Sequence, residues 1–343
     1  MEQGAKAALQ MGSNWEELTR WEQWGIAWFY GPPVLWEVFR TISPWGFLFS
    51  LLCVGMTVVL GAWRWDLLLK AQHAGISFWR TFEITMIGQF FNSFLLGATG
   101  GDILKAWYGM GDAKNQRTEV ITTVIGDRLV GLLSMLFFTI IFILPNLELL
   151  LADKRRIILI LFTMGMFFCC LIFLVMAGSR GLLSKILNYL PKMHKIERAL
   201  EACDKMFRHR VVLAEVFLIS MILNVFCILQ FFIIAYDLQI SIRAIQLALI
   251  VPMIICISSL PITPSGLGVR ENLYVIILGG PLLQIEPAQA LALSLVAYMG
   301  YLCWSALGAF FYLLCRQGIH HKIEFASSQD RQSESSRKIE SAK

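Results

Sequence analysis

Residues 211–236 read VVLAEVFLISMILNVFCILQFFIIAY, with Glu215 as the single charged side chain. About 20 apolar residues suffice to carry a helix across the hydrocarbon of a bilayer. A helix also satisfies its own backbone N–H and C=O groups there, which an isolated strand cannot do. The stretch is predicted to be a membrane span. Further candidate spans occupy 44–69, 118–144, 156–177, 244–260, a short 271–284, a long 288–315, and 80–97, which is unusually polar with Glu83, Gln89, Asn92 and Ser93. The 343-residue chain is 57% hydrophobic and 15% charged, against about 25% charged in soluble domains. One water-soluble core could not hide that much apolar surface. The prediction is an all-α, polytopic integral membrane helix bundle of about 7–8 spans, with Gly/Pro-broken re-entrant or half helices.

The flanks read differently. Residues 1–43 carry Trp15, Trp21, Trp24, Trp28 and Trp36. Tryptophan favours the membrane–water boundary, and Gly31-Pro32-Pro33 interrupts the only apolar stretch, so the region is predicted to be interfacial. MEQGAKAALQ lacks the apolar core of a cleavable signal peptide, leaving the first span as its own insertion signal. Segment 180–210 holds eight bases (Arg180, Lys185, Lys192, Lys195, Arg198, Lys205, Arg208, Arg210) against Glu197, Glu201 and Asp204. The positive-inside rule makes it cytoplasmic. Counting spans from it puts 98–117, 261–270 and the C-terminus inside, and 237–243 and 279–287 outside. Apolar residues at Ile186, Leu190, Met193, Leu200, Cys203 and Phe207 suit either an amphipathic linker lying on anionic inner-leaflet lipids or an ordinary charged connector. The polar, serine-rich tail 316–343 is predicted to be disordered, and the transmembrane core lies at 44–315.

The eight cysteines, at 53, 169, 170, 203, 227, 256, 303 and 315, form no CxxC pair or Cys/His cluster. They read as small hydrophobic residues; no metal is expected, nor any cofactor. The modest formal charge of +5 suits a basic cytoplasmic face and gives no reason to expect a nucleic-acid partner.

Ionisable groups at membrane depth are expensive and usually face a cavity or a partner. Three clusters qualify. In the first, Asn92 and Ser93 precede a break at Gly97, Gly100 and Gly101, and Asp102 could cap a new helix carrying Lys105 in its first turn. Free amides, a helix N-terminus and a cation together suit an anion; the plain alternative is a capped turn. The second is Gly126-Asp127-Arg128, inside the third span. Neighbours on a helix diverge by about 100°, so Asp127 and Arg128 need separate partners, either a cavity or another helix. The third runs from Pro261 through Pro264, Ser265, Gly266 and Gly268 to Arg270 and Glu271. Ser265 is a plausible cap there, or the segment is a tight loop. The first and third clusters share one grammar of span, break, and short basic helix. Matching interruptions in two halves of a transporter mark a binding site, so both breaks are predicted to converge.

At these residues the chain resembles the lysylphosphatidylglycerol synthase transmembrane family, also called flippase-like. The resemblance rests on Gly100-Gly101-Asp102 with Lys105, on Asp127-Arg128, on Pro264 through Glu271, and on the early span from Pro44-Trp45 to Arg64-Trp65. Lys105 stands where the family commonly has Arg, keeping the charge and losing the planar fork. The resemblance implies a bundle of about eight helices with re-entrant pieces, and a role in lipid flipping or lipid-linked export. The soluble aminoacyl-transfer domain of some members is not expected here, so synthase activity is not expected either.

The sequence-level expectation is a multi-pass protein of the plasma or inner membrane, with a cytoplasmic C-terminus. It would move an anionic phospholipid or a polyprenyl- or hopanoid-type lipid-linked substrate without being an enzyme, and self-association is compatible with it. Lys105, Arg128 and Arg270 would hold the phosphate, with Asp102, Asp127 and Glu271 orienting them or exchanging protons during transport. Asn92, Gly100, Gly101, Pro264, Gly266 and Gly268 would complete the substrate site. No GxxxxGK[ST] loop occurs, so gradients, a partner or mass action would supply the drive. A membrane transferase acting on a lipid-linked substrate, an accessory membrane subunit and a transporter of small solutes are the alternatives.

Overall fold

The computed structural model describes residues 36–94, 100–113, 116–146, 154–178, 208–260, 266–280 and 283–340, together with the single positions 19, 21, 33, 205, 206, 263. Most of the tryptophan-rich region 1–43, most of the linker 180–210, and Pro261, Pro264 and Ser265 lie outside the described residues. The helices are α1 (Pro44–Ala71), α2 (Phe78–Phe94), α3 (Gly100–Asp112), α4 (Arg117–Ile141), α5 (Lys154–Gly178), α6 (Arg210–Asp237), α7 (Ala244–Ser258), α8 (Val269–Leu278) and α9 (Pro287–Glu340). No strand occurs among the described residues.

Four of these helices, α1, α4, α6 and the Pro287–Leu314 part of α9, are long and apolar enough to cross a membrane. On α6, Leu218, Ile222, Val225 and Leu229 are exposed while Ile219, Cys227, Phe231 and Ile234 are buried. A helix that is apolar on both its outer and inner faces belongs in a bilayer, because lipid accepts the outer one.

The long helices form an antiparallel frame. The carboxylate of Asp237, at the C-terminal end of α6, accepts hydrogen bonds from the Ser43 backbone N (3.1 Å) and Oγ (3.0 Å). Ser43 Oγ in turn accepts from Gly46 N at 2.9 Å, capping α1. A Cβ on Gly46 would collide with Asp237. At the other end of α1, Leu69, Ala74 and Ile76 pack with Ala113, Val120 and Val124 near the start of α4. The two ends of the bundle are thus an Asp237 end and an Asp112 end. Exposed Trp45 and Tyr236 sit at the first, and exposed Trp79 and Trp107 towards the second, as interfacial aromatics do.

Between these frame helices lie four shorter ones: α2 with 17 residues, α3 with 13, α7 with 15 and α8 with 10. At 1.5 Å per residue they reach about 15–26 Å, less than the roughly 30 Å of hydrocarbon. They pair into two hairpins. Arg80, early in α2, meets Asp112, at the end of α3, with Nε 2.6 Å from the carboxylate. Nearer the tip, the Gly101 N–H donates to Asn92 Oδ1 at 2.8 Å. The α2–α3 hairpin therefore enters and leaves at the Asp112 end. The α7–α8 hairpin does the opposite. Asn146, in the turn after α4, donates to the Ile245 carbonyl at 3.1 Å, which places the start of α7 at the Asp237 end. Ile285 N donates to Leu278 O at 3.2 Å, tying the end of α8 to the start of α9. The direction of α9 follows from its contacts with α2: Phe311 meets Phe82 edge-on, Gly308 lies against Met86, and Ser305 touches Ser93 near the tip.

This topology corrects the sequence count at two points. The connections before α2 and after α3 lie at one end of the bundle, so the run read as the second span, 80–97, does not cross alone. The start of α7 and the end of α8 likewise lie at one end of the bundle, so the runs read as the sixth and seventh spans do not cross separately. The α9 backbone runs as helix to Glu340. Lys, Arg, Glu, Gln and Ala form helices readily, and the preceding span has already nucleated this one.

Two opposed hairpins predict a labelling pattern. In a chain stripped of native cysteines, Ser77→Cys and Gln116→Cys are expected to react with an impermeant maleimide from one face of the membrane. Ser241→Cys and Glu286→Cys should react only from the other. Reaction of Ser77→Cys and Gln116→Cys from opposite faces would mean that α2 crosses alone, and the hairpin would be wrong.

Candidate functional site

The tips of the two hairpins face one cavity of about 220 Å³. The α2 tip supplies Gln89, Asn92 and Ser93, and the α7 tip supplies Ser258 and Ser259. Arg128 reaches it from the middle of α4 and Arg270 from the first turn of α8. Ser294, Tyr298 and Tyr301 of α9 close one side, with Phe231 and Ile255 providing apolar wall. The cavity thus gathers residues from six helices.

Each arginine is held by a carboxylate from the sequence clusters. Asp102, in the first turn of α3, pairs with Arg128 Nε. Glu271 Oε1 accepts from Arg270 Nη2 at 2.5 Å and from Nε at 3.1 Å. Glu271 Oε2 also accepts from the Gly268 N–H at 2.6 Å, so one side chain caps α8 and aims its arginine. Gly266 and Gly268 have φ of 70° and 82°, a region where a Cβ is strained, so the turn into α8 depends on glycine. The Arg270 guanidinium lies over the Tyr298 ring, 4.1 Å from its centroid. That stacking fixes its plane as well as its position.

A second ionic group lies behind Arg128. Asp127 Oδ1 accepts from Arg64 Nε at 2.7 Å, and its Oδ2 is 3.7 Å from Lys105 Nζ. Arg64 Nη1 donates to Ser220 Oγ at 3.1 Å, binding α1, α4 and α6 together. Lys105 Nζ sits 4.6 Å from the centroid of the buried Trp65 ring, whose Nε1 donates to Thr123 Oγ1 at 3.2 Å. The side chains of Arg64, Lys105 and Asp127 are 13%, 10% and 8% exposed, so one carboxylate serves two nearly buried cations.

The predicted convergence is seen for Asn92, Arg128 and Arg270, which line the cavity. Asp102 and Glu271 pair with those two arginines. Gly100 and Gly101 open α3, where Gly101 lies so close to the Gly88 carbonyl that a Cβ would clash. Lys105 departs from expectation. Asp127 and Trp65 hold it outside the cavity lining, so it supports the site without facing it. The expected helix starts also move: α3 begins at Gly100 instead of Ile103, and α8 is capped by Gly268 instead of Ser265. Arg64 is not among the residues expected at the site, although a cation inside a long apolar run is itself a signal. Ser258, Ser294 and Tyr298 carry no such signal, because serine and tyrosine are ordinary in membrane helices. Among the described residues no group of three or more His, Cys, Asp or Glu could hold a metal ion.

Crossing helices, two paired short-helix hairpins and charged groups lining a shared cavity define a multi-pass α-helical membrane protein. More narrowly, residues 23–307 match the family described as lysylphosphatidylglycerol synthase TM region, and the chain belongs to that family. It is similar to a UPF0104 membrane protein of Methanocaldococcus jannaschii, 24% identical over 286 residues, covering 78% of this chain and 83% of that protein. A UPF0104 membrane protein of Pyrococcus horikoshii is 31% identical over 93 residues, covering 26% of this chain and 28% of that protein.

Removing the shared carboxylate would strand two buried cations. Asp127→Asn is expected to cost about 3–5 kcal/mol, the range for breaking a buried pair from one side, read as a clear fall in the unfolding temperature of purified protein in detergent. An unchanged unfolding temperature would mean that Arg64 and Lys105 are solvated or paired elsewhere.

Proposed function

We propose that the protein moves a phosphate-bearing lipid headgroup across the membrane, holding it between Arg128 and Arg270 while the acyl or prenyl chains stay in the bilayer. The observation that carries this reading is the shared cavity itself. Two guanidiniums from different helices line one space, and that space lies where two hairpins from opposite ends of the bundle approach each other. A headgroup crossing hydrocarbon unaided loses its hydration without replacement, at a large cost. Fixed cations, hydroxyls and amides along the route replace that hydration. Arginine suits phosphate because its fork donates two parallel hydrogen bonds.

The hairpins supply an alternation. Their tips come to the cavity from opposite ends of the bundle, so in this reading displacing one tip would widen the site towards one side while the other stays in place. Membership of a family described by lysylphosphatidylglycerol supports a lipid over a soluble solute. Apart from an apolar wall that includes Phe231, Ile255 and Ala297, the cavity offers arginines, amides and hydroxyls, which suit binding and carrying more than bond-breaking, so we infer transport without catalysis. In this reading the Asp112 end faces the cytoplasm together with the C-terminus, and anionic inner-leaflet lipids lie against its basic segment.

In phosphatidylcholine liposomes carrying a trace of acyl-labelled anionic lipid, purified protein is expected to expose inner-leaflet label to an impermeant quencher. Arg270→Ala removes a charged hydrogen-bonding group worth about 1.5–3 kcal/mol, so the rate should fall about 10–100-fold. Arg270→Lys should fall between the two, since it keeps charge but loses the fork. Wild-type rates in a well-folded Arg270→Ala protein would remove the cavity from the transport path.

A further inference from the structure

The cavity contains more than two cations. The hydroxyl oxygens of Ser258, Ser294 and Tyr298 are buried and have no hydrogen-bond partner among the described residues. All three residues line the same cavity as Arg128 and Arg270. Buried hydroxyls are nearly always satisfied, and three orphans around one space ask for a common explanation. Serine χ1 has three staggered wells, so the Ser258 and Ser294 oxygens can turn towards whatever fills the space they line. Tyr298 carries its hydroxyl at the rim of the ring on which Arg270 stacks.

Charge narrows the ligand further. Around the site, Arg64, Lys105, Arg128 and Arg270 stand against Asp102, Asp127 and Glu271. At formal charges, four positive groups meet three negative ones, and one positive charge is in excess. A phosphodiester carries one negative charge at neutral pH, whereas a phosphomonoester carries about 1.5–2. The described lining holds no aspartate or glutamate, and the nearest carboxylates, Asp102 and Glu271, are already engaged by the two arginines. An ammonium group entering this space would meet two guanidiniums and no free acid.

We infer that the site selects a singly charged phosphodiester headgroup bearing free hydroxyls and no amine, with Ser258, Ser294 and Tyr298 as the residues that read those hydroxyls. The inference rests on the transport reading and adds its specificity. Glycerol and sugar headgroups share this chemistry. A hydroxyl-less analogue keeps the phosphate contact and leaves the serine and tyrosine oxygens unmatched, and a site built to bond a hydroxyl rejects a ligand that lacks one.

The test uses full-length protein in phosphatidylcholine liposomes and four acyl-labelled lipids, namely phosphatidylglycerol, phosphatidylinositol, phosphatidylmethanol and phosphatidylethanolamine. Phosphatidylglycerol or phosphatidylinositol is expected to move about tenfold faster than phosphatidylmethanol, the discrimination that one unmatched hydrogen bond gives. The faster of the two tells an open-chain polyol from a ring. Phosphatidylethanolamine should stay at the protein-free rate. Ser294→Ala and Tyr298→Phe should each bring the ratio of hydroxylated lipid to phosphatidylmethanol towards one, which a purely structural role would not do. Equal wild-type rates for hydroxylated lipid and phosphatidylmethanol would overturn the inference and leave transport standing. So would fast phosphatidylethanolamine, or variants that slow every lipid alike. Movement of none of the four would overturn the transport reading and this inference with it.

Discussion

A charge buried among apolar helices must be compensated, and in this protein the compensation is shared between helices that are distant in sequence. Asp127 answers both Arg64 and Lys105, Asp102 answers Arg128, and Glu271 answers Arg270. The first three pairings join α1, α3 and α4. They pin the α2–α3 hairpin against the frame at the depth where the chain is interrupted. The last pairing is local, and it uses the same carboxylate to start α8 and to orient its arginine. Apolar packing cannot fix register alone, because lipid competes for the same surfaces. Close contacts assist the ion pairs. Gly88 lies against Gly101, Gly308 against Met86, and Gly55 against Trp304, at separations that admit no Cβ.

The two hairpins give this charge a purpose. Neither is long enough to cross, and each leaves its tip inside the bundle. Backbone that is not helical is tolerated at that depth only where protein or a polar cavity surrounds it. The space between the tips meets that condition. Its two arginines are aimed by carboxylates outside its lining, so the positive ends face inward and the acids stand behind them. One excess charge remains in the group, and under the proposed function it would favour an anionic headgroup.

Much of this was legible in the sequence, for identifiable reasons. Spans announce themselves by length and apolarity, so the boundaries of α1, α4 and α6 fall within a few residues of their apolar runs. Glycine and proline mark the breaks, and acids and bases at membrane depth stand out against an apolar background. Asn92, Arg128 and Arg270 were therefore readable as one site. Hairpin topology was not, because a run such as 80–97 is apolar enough to pass for a span, and only the pairing of Arg80 with Asp112 reveals that the chain returns. Lys105 was misread for a related reason. Its charge was visible, but the carboxylate and the ring that hold it lie 22 and 40 positions away. The hydroxyls of Ser258, Ser294 and Tyr298 were silent, since serine and tyrosine gain meaning only from the space they share.

The central claim is that opposed hairpin tips present two arginines to one phosphate. Its most direct test is an experimental density map of the protein in nanodiscs containing anionic lipid. The account predicts a headgroup-sized feature between the guanidiniums of Arg128 and Arg270, with continuous tail density leading out between helices into the bilayer. A map with those guanidiniums in separate environments, divided by packed side chains or by crossing rather than returning arms, would contradict it.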